Sequence, residues 1–204
     1  MDVIRLVFYA AYWWWRLELR KAHGLAALGL FILLLGLAVG LGQQAVPWPL
    51  PAQRWSFWIA YVFALFQGIP RALLERRSEE WRWLFHLFPP LLALAGLWLY
   101  AVVLALLAGL LLAGLTLIFW QFAPSLQTVA LGGIVLVSPL LLSAYLTARA
   151  EASYVVGVIL AFPLLFFPLL LLGGSPVPAP EILLALGSVE SLLFFLVAPY
   201  LWQG

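Results

Sequence analysis

The sequence contains no cysteine, no asparagine and only one lysine among its 204 residues. Without cysteine the chain can form no disulfide, no thiolate metal site and no thiol-based redox centre. Its two histidines, His23 and His86, leave little for metal binding. These absences exclude thiol redox chemistry, and we do not expect a metal-dependent function.

Charge is also scarce. Only 9% of the residues are charged and 66% are hydrophobic, and the mean hydropathy is +1.11. A soluble domain has about 25% charged and about 45–50% apolar residues, so the residues present here cannot cover a surface that faces water. The formal net charge of +2 is too small to indicate a nucleic-acid partner. We expect an all-α integral membrane protein.

Catalytic motifs are missing as well. The apolar runs contain no pair of carboxylates, and the sequence has neither an HExxH motif nor a glycine-rich phosphate loop with its lysine. We therefore expect no enzyme activity from this chain alone. Any work driven by ATP would need the ATPase activity of a partner subunit.

Long apolar runs define the expected architecture, because a helix needs about 20 apolar residues to cross a hydrocarbon core of about 30 Å. Residues 1–204 form one expected transmembrane domain, with a loop at 43–54 and an interfacial turn at 119–125. The six predicted spans are residues 24–42, 55–74, 91–117, 128–148, 154–172 and 181–202.

The basic residues predict the orientation of these spans. With the N-terminus inside, nine of the ten lysines and arginines lie on the cytoplasmic side, and only Arg54 lies outside. We therefore expect a multi-pass protein of the bacterial inner membrane with both termini in the cytoplasm.

The N-terminal residues 3–22 form a predicted amphipathic helix, in which Arg5, Arg16 and Arg20 alternate with apolar and aromatic side chains. Such a helix lies in the membrane interface. This segment contains three consecutive tryptophans, Trp13, Trp14 and Trp15. We interpret them as part of an aromatic belt at the membrane interface.

The segment after the second span has the densest charge in the chain. Its charged residues include pairs at helical spacing, and Leu73, Leu74, Leu84 and Phe85 supply an apolar side. An amphipathic helix here would dock in a groove of a soluble motor protein, but a solvated interfacial helix would give the same pattern. The candidate coupling residues are Arg71, Glu75, Arg76, Arg77, Glu79, Glu80, Trp81 and Arg82.

Glu190 lies near the middle of the sixth predicted span, between Ser188 and Ser191. An ionisable side chain at membrane depth costs about 2.5–3.5 kcal/mol or more, so such residues usually face the bundle interior or a partner and serve a function. The alternative is a protonated carboxyl group that bonds to a helix backbone.

Three segments together resemble the CcmB family, the heme exporter protein B of cytochrome c maturation. They are WRLELR at 15–20, the loop with Arg71, Glu75, Trp81, Leu84 and Pro89, and ILAFPLLFFPLLLL at 159–172. The resemblance covers nearly the whole length, through the order and spacing of these segments.

This resemblance implies a dimeric ABC-2-type permease paired with the ATPase CcmA, beside CcmC, CcmD and the periplasmic heme chaperone CcmE. ATP hydrolysis on the partner would drive heme export or release of the heme-loaded chaperone, with no cofactor bound stably to this chain. Residues 75–82 would be the cytoplasmic coupling helix. A groove for a flat apolar ligand such as heme would be lined by Trp98, Tyr100, Trp120 and Tyr145.

Two other functions stay open. The chain would have the same pattern if it were an ABC-2-type permease for a lipidic or saccharide substrate. A membrane assembly factor that transports nothing would also have these spans, but it would not bind an ATPase.

Overall fold

The structure is a computed structural model that describes residues 3–21, 23–46, 48–74, 87–119, 122, 124–149, 154–174 and 178–203. Within these ranges the chain is all-helical, with seven helices and no strand. The helices are α1 (Val3–Lys21), α2 (His23–Ala45), α3 (Leu50–Leu74), α4 (Pro90–Phe119), α5 (Leu126–Arg149), α6 (Tyr154–Gly173) and α7 (Pro180–Gln203).

Four of these helices are long and apolar enough to cross a membrane. The qualifying stretches are Leu25–Ala45, Pro90–Phe119, Leu126–Ala148 and Pro180–Pro199. The apolar stretch of α6, Ile159–Gly173, is shorter, and α3 carries Arg54 and Arg71 among its apolar residues. The all-α prediction is therefore confirmed for the described residues, and a bundle of six spans stays a prediction.

Helix α5 is the centre of the bundle, because it packs against α3, α4, α6 and α7. Glycines make two of these contacts close. A Cβ atom on Gly132 of α5 would lie 2.5 Å from the nearest ring atom of Trp58, and one on Gly109 of α4 would lie 2.8 Å from the hydroxyl of Tyr61. That hydroxyl donates a 2.6 Å hydrogen bond to the carbonyl of Ala105. Helix α3 is thus held against both neighbours through small residues, as is usual where helices pack in lipid.

The contacts also give the directions of the helices. Gly36 and Gly40 of α2 lie against Leu115 and Phe119 of α4, so these two helices run parallel. At the same end of the bundle, Arg54 of α3 donates a 2.8 Å hydrogen bond to the carbonyl of Gly174, just after α6. A basic side chain near the C-terminus of a helix satisfies its last carbonyls.

The prediction of a loop at residues 43–54 is wrong, because the loop in the structure is shorter. Helix α2 continues to Ala45 and α3 begins at Leu50, which leaves a short linker closed by a 2.8 Å hydrogen bond from the amide of Gln53 to the carbonyl of Trp48. Pro51 misled the prediction, because a proline is tolerated in the first turn of a helix, where its missing N–H would have no partner.

Residues predicted to form an N-terminal helix lie in α1, and one face of this helix is buried against α4. Ala10 and Ala11 pack over Gly96, and Trp14, which is only 1% exposed, stacks on Tyr100 with ring centroids 6.4 Å apart. Trp14 therefore belongs to the core of the bundle and not to an aromatic belt.

Candidate functional site

A chain of polar side chains joins three helices inside the bundle. The indole Nε1 of Trp98 on α4 donates a 3.1 Å hydrogen bond to Oγ of Ser138 on α5. The Oγ atoms of Ser138 and Ser191 on α7 lie 3.1 Å apart, and either hydroxyl can donate. We call these three residues the polar junction. Because Ser138 accepts from the indole, its own proton is available to Ser191, so all three helices share one connected hydrogen-bond network.

Local sequence explains why α7 comes so close to α5 at this level. Gly187 lies one turn before Ser191, and a Cβ atom there would be 3.4 Å from side-chain atoms of both Ile134 and Val135. Pro139 lies inside α5 and has no N–H to donate to the carbonyl of Val135. The junction therefore forms where a glycine narrows the gap between the helices and a proline weakens the backbone of α5.

Glu190 lies on the side of α7 that faces α5. Leu183 and Phe194 are buried, and with Gly187 they form a stripe at the spacing of one helical face. Glu190 falls on this stripe, and its Oε2 atom is buried with no hydrogen-bond partner in the described part of the chain. A buried carboxyl oxygen without a partner costs free energy. Its presence beside the polar junction makes this the strongest candidate site in the structure.

Trp98 and Tyr100, both predicted to line a ligand groove, point to opposite sides of α4. They are two residues apart, about 200° around the helix. Trp98 faces the polar junction, whereas Tyr100 is packed against α1, with its ring centroid 5.3 Å from that of Trp15. The two residues therefore do not share a groove in this conformation.

Of the other two predicted ligand residues, the structure describes only Tyr145. Tyr145 is 3% exposed and lies on α5 two turns beyond Ser138, on the same helical face. It can extend the interior surface that begins at the polar junction. Trp120 lies outside the described residues.

The predicted coupling residues fall mostly outside the described ranges. Arg71 lies in α3, near its end at Leu74. The segment 75–86 lies outside the described part of the chain, and it contains Glu75, Arg76, Arg77, Glu79, Glu80, Trp81 and Arg82.

The polar junction and Glu190 together offer a small set of chemical groups. Ser138 contacts an indole and a second hydroxyl, and neither group is a base that could activate it as a nucleophile. Among the described residues there is no group of three or more histidine, cysteine, aspartate or glutamate side chains that could hold a metal ion. The site offers hydroxyl groups, one indole N–H and one carboxyl group.

Sequence reasoning noted Ser191 only as a neighbour of Glu190 and missed Ser138. The available signal was a Ser-Pro pair inside an apolar run, Ser138-Pro139. A serine in such a position often bonds to its own helix backbone, so its bridging role could not be inferred without knowing which helices are neighbours.

Comparisons with known proteins give no further guide to this site. The chain matches no family model, and neither a curated protein nor a solved structure matches it. The resemblance to the CcmB family therefore stands on the three sequence segments alone.

Proposed function

We propose that this chain is a membrane permease subunit of the ABC-2 type, with α2 to α7 as its six spans and both termini in the cytoplasm. The distribution of basic residues carries the proposal. Arg54 lies at the end of the bundle where α3 begins and α6 ends, whereas α1 contains four basic residues and Arg71 and Arg149 lie near the C-terminal ends of α3 and α5. The other three, Arg76, Arg77 and Arg82, follow α3 in the sequence and lie outside the described residues. Basic residues concentrate on the cytoplasmic side of membrane proteins.

A permease of this kind needs a separate motor, since its sequence has no phosphate-binding loop. In our proposal the charged segment from Glu75 to Arg82 docks on the ATPase subunit, and Arg71 at the end of α3 joins that segment to the bundle. Conformational change on the ATPase would then reach the helices through α3, which packs directly on the central helix α5.

The polar junction is the place where we expect helices to move against each other. The bond between Ser138 and Ser191 joins two neutral hydroxyls, and hydrogen bonds between helices in membranes contribute only about 0.6 kcal/mol on average. Gly187 gives α7 a smooth surface at the same level. Small shear of packed helices is a common way for proteins to change between two states.

Our proposal for the transported species and for the partner proteins is based on the resemblance to the CcmB family. We propose that the permease works in cytochrome c maturation with the ATPase CcmA and with CcmC, CcmD and the chaperone CcmE, exporting heme or releasing the heme-loaded chaperone. Trp98 is half-buried and Tyr145 is buried, so movement of α7 away from α5 would expose more of this aromatic surface to a flat apolar ligand.

Copurification tests the motor partnership. The tagged protein should retain an ATPase subunit from solubilised membranes, and the double charge reversal Glu75→Arg with Arg77→Glu should abolish this. Glu181→Arg is the matched control, because Glu181 is exposed in the first turn of α7, at the end we assign to the opposite side. Retention of the ATPase by the double variant, or its absence from the wild-type sample, would contradict the proposal and favour an assembly factor.

Deletion of the gene tests the pathway. Heme staining for c-type cytochromes should show their loss, with recovery when the wild-type gene is returned. Normal holocytochrome levels together with a copurifying ATPase would refute the heme assignment and favour a permease for a lipidic or saccharide substrate.

A further inference from the structure

The outward face of α1 carries an open groove that no function described above uses. Its described lining consists of Arg5, Phe8, Tyr9 and Tyr12, and its volume is about 360 Å³. The spacing of these residues places all four on one side of the helix. Ligand pockets commonly have volumes of about 300–1,000 Å³, so the groove is large enough for a headgroup and part of a hydrocarbon chain.

This face combines cations with exposed apolar side chains. Phe8, Tyr9 and Tyr12 are 61%, 58% and 55% exposed. Arg5 lies among them, and Arg16, further along the same face, is placed 5.8 Å from the centre of the Tyr12 ring. Apolar surface of this size is unfavourable in water by about 25 cal/mol per Å², which favours an apolar occupant.

The acidic side chain of α1 is turned the other way. Glu18 is 6% exposed and lies one turn beyond Trp14, on the face that packs against α4. The outward face of α1 is therefore positively charged among the described residues. A molecule that matches it has a negative headgroup and apolar chains.

The packing of α1 makes the groove a fixed feature of the bundle. Ala10, Ala11 and Trp14 hold the opposite face against Gly96 and Tyr100 of α4. These contacts lie near the beginning of α4, at the end of the bundle away from Arg54. The groove consequently faces the leaflet where we place the basic residues, and anionic lipids of the cytoplasmic leaflet attract such residues.

We propose that the outward groove of α1 binds an anionic phospholipid, with the lipid phosphate at Arg5 and the tyrosine hydroxyls and an acyl chain along Ile4 and Phe8. The site would anchor α1 through a specific lipid, in addition to its packing on α4. This site is independent of the species that the protein transports.

Lipid titration of the full-length protein tests this site. The purified protein, in a mild detergent, is titrated with phosphatidylglycerol or with phosphatidylcholine of the same acyl chains, and bound lipids are counted by native mass spectrometry. We expect tighter binding of phosphatidylglycerol. Arg5→Gln should weaken that binding about five-fold, the effect of one basic residue near a charged membrane surface, and should leave phosphatidylcholine unchanged.

Two further variants make the result specific. Arg5→Lys keeps the charge and should retain most of the preference, whereas Arg149→Gln removes a basic residue outside α1 and should change nothing. Equal binding of the two lipids by the wild type, or an unchanged preference in Arg5→Gln, would overturn the proposal. Failure of both lipids to bind would overturn it too and would favour a protein partner on this face.

Discussion

Gly96 of α4 lies directly against Ala10 and Ala11 of α1, and a side chain on Gly96 would have no space. A Cβ atom there would be 2.8 Å from the backbone nitrogen of Ala11 and closer still to the Cβ of Ala10. Backbone atoms cannot rotate away as a long side chain can. The attachment of α1 to the bundle therefore depends on the absence of a side chain at this one position.

Replacing that glycine should detach α1. Gly96→Ala should lower the free energy of unfolding by about 1–3 kcal/mol, the usual cost of overpacking, as measured by thermal unfolding in detergent. Gly114→Ala on the same helix is the control, because a Cβ atom there meets nothing within 4 Å. The control should gain up to about 1 kcal/mol from its better helix propensity. Equal effects of the two changes would contradict the close packing of α1.

The polar junction should show energetic coupling between α4 and α5. In a double-mutant cycle of Trp98→Phe and Ser138→Ala, we expect a coupling free energy of about 0.6 kcal/mol, as for other hydrogen bonds between membrane helices. The control is the same cycle with Ser188→Ala in place of Ser138→Ala. Ser188 is exposed, and its hydroxyl donates to the carbonyl of Leu184 in its own helix. Additive effects of the two junction changes would show that the bond between these side chains contributes nothing.

We expect the carboxyl group of Glu190 to lower the free energy of unfolding and to be needed for function. Glu190→Leu removes a buried carboxyl oxygen without a partner in the described residues, so the free energy of unfolding should rise by about 1–3 kcal/mol. Glu181→Leu should instead lower it by about 0.3–1 kcal/mol, because Glu181 interacts favourably with the N-terminus of α7.

Activity separates the roles of these two glutamates. Cells with Glu190→Leu should lose holocytochromes although the protein is more stable, since active sites commonly trade stability for function. A destabilised Glu190→Leu protein would show that the carboxyl group has a structural role. Full activity in a stabilised variant would show that it has none.

The hydroxyl of Tyr61 should contribute to the packing of α3 on α4. Tyr61→Phe removes its hydrogen bond to the carbonyl of Ala105 and should reduce the free energy of unfolding by about 0.5–1.5 kcal/mol. Tyr12→Phe, on the exposed face of α1, should leave stability unchanged. Chemical denaturation of the two variants in the same detergent gives the comparison, and identical midpoints would contradict this role.

Composition and the length of apolar runs were enough to predict a helical membrane protein, because both are read from the sequence without knowing which helices are neighbours. Helix ends were harder to predict. Pro51 reads as a loop residue in sequence and lies in the first turn of α3, since proline is disfavoured only further inside a helix. Gly96 and Gly114 look alike in the sequence, and only the neighbouring helix gives them opposite roles.

The candidate site was only partly predictable for the same reason. The rarity of a carboxyl group inside an apolar run marked Glu190, a signal that needs no knowledge of neighbours. The bridging role of Ser138 depends on Trp98 and Ser191, which lie 40 and 53 residues away in sequence. Such a contact exists only once three helices are placed side by side.

Cysteine labelling in spheroplasts tests most directly whether the charged segment faces the ATP-containing side. The chain has no native cysteine, so Ser78→Cys and Val46→Cys each supply one thiol, the second in the exposed linker after α2. A membrane-impermeant maleimide should label Val46→Cys in intact spheroplasts and Ser78→Cys only after the membrane is opened. Labelling of Ser78→Cys in intact spheroplasts, with Val46→Cys protected, would contradict the proposed orientation and with it the coupling to a cytoplasmic motor.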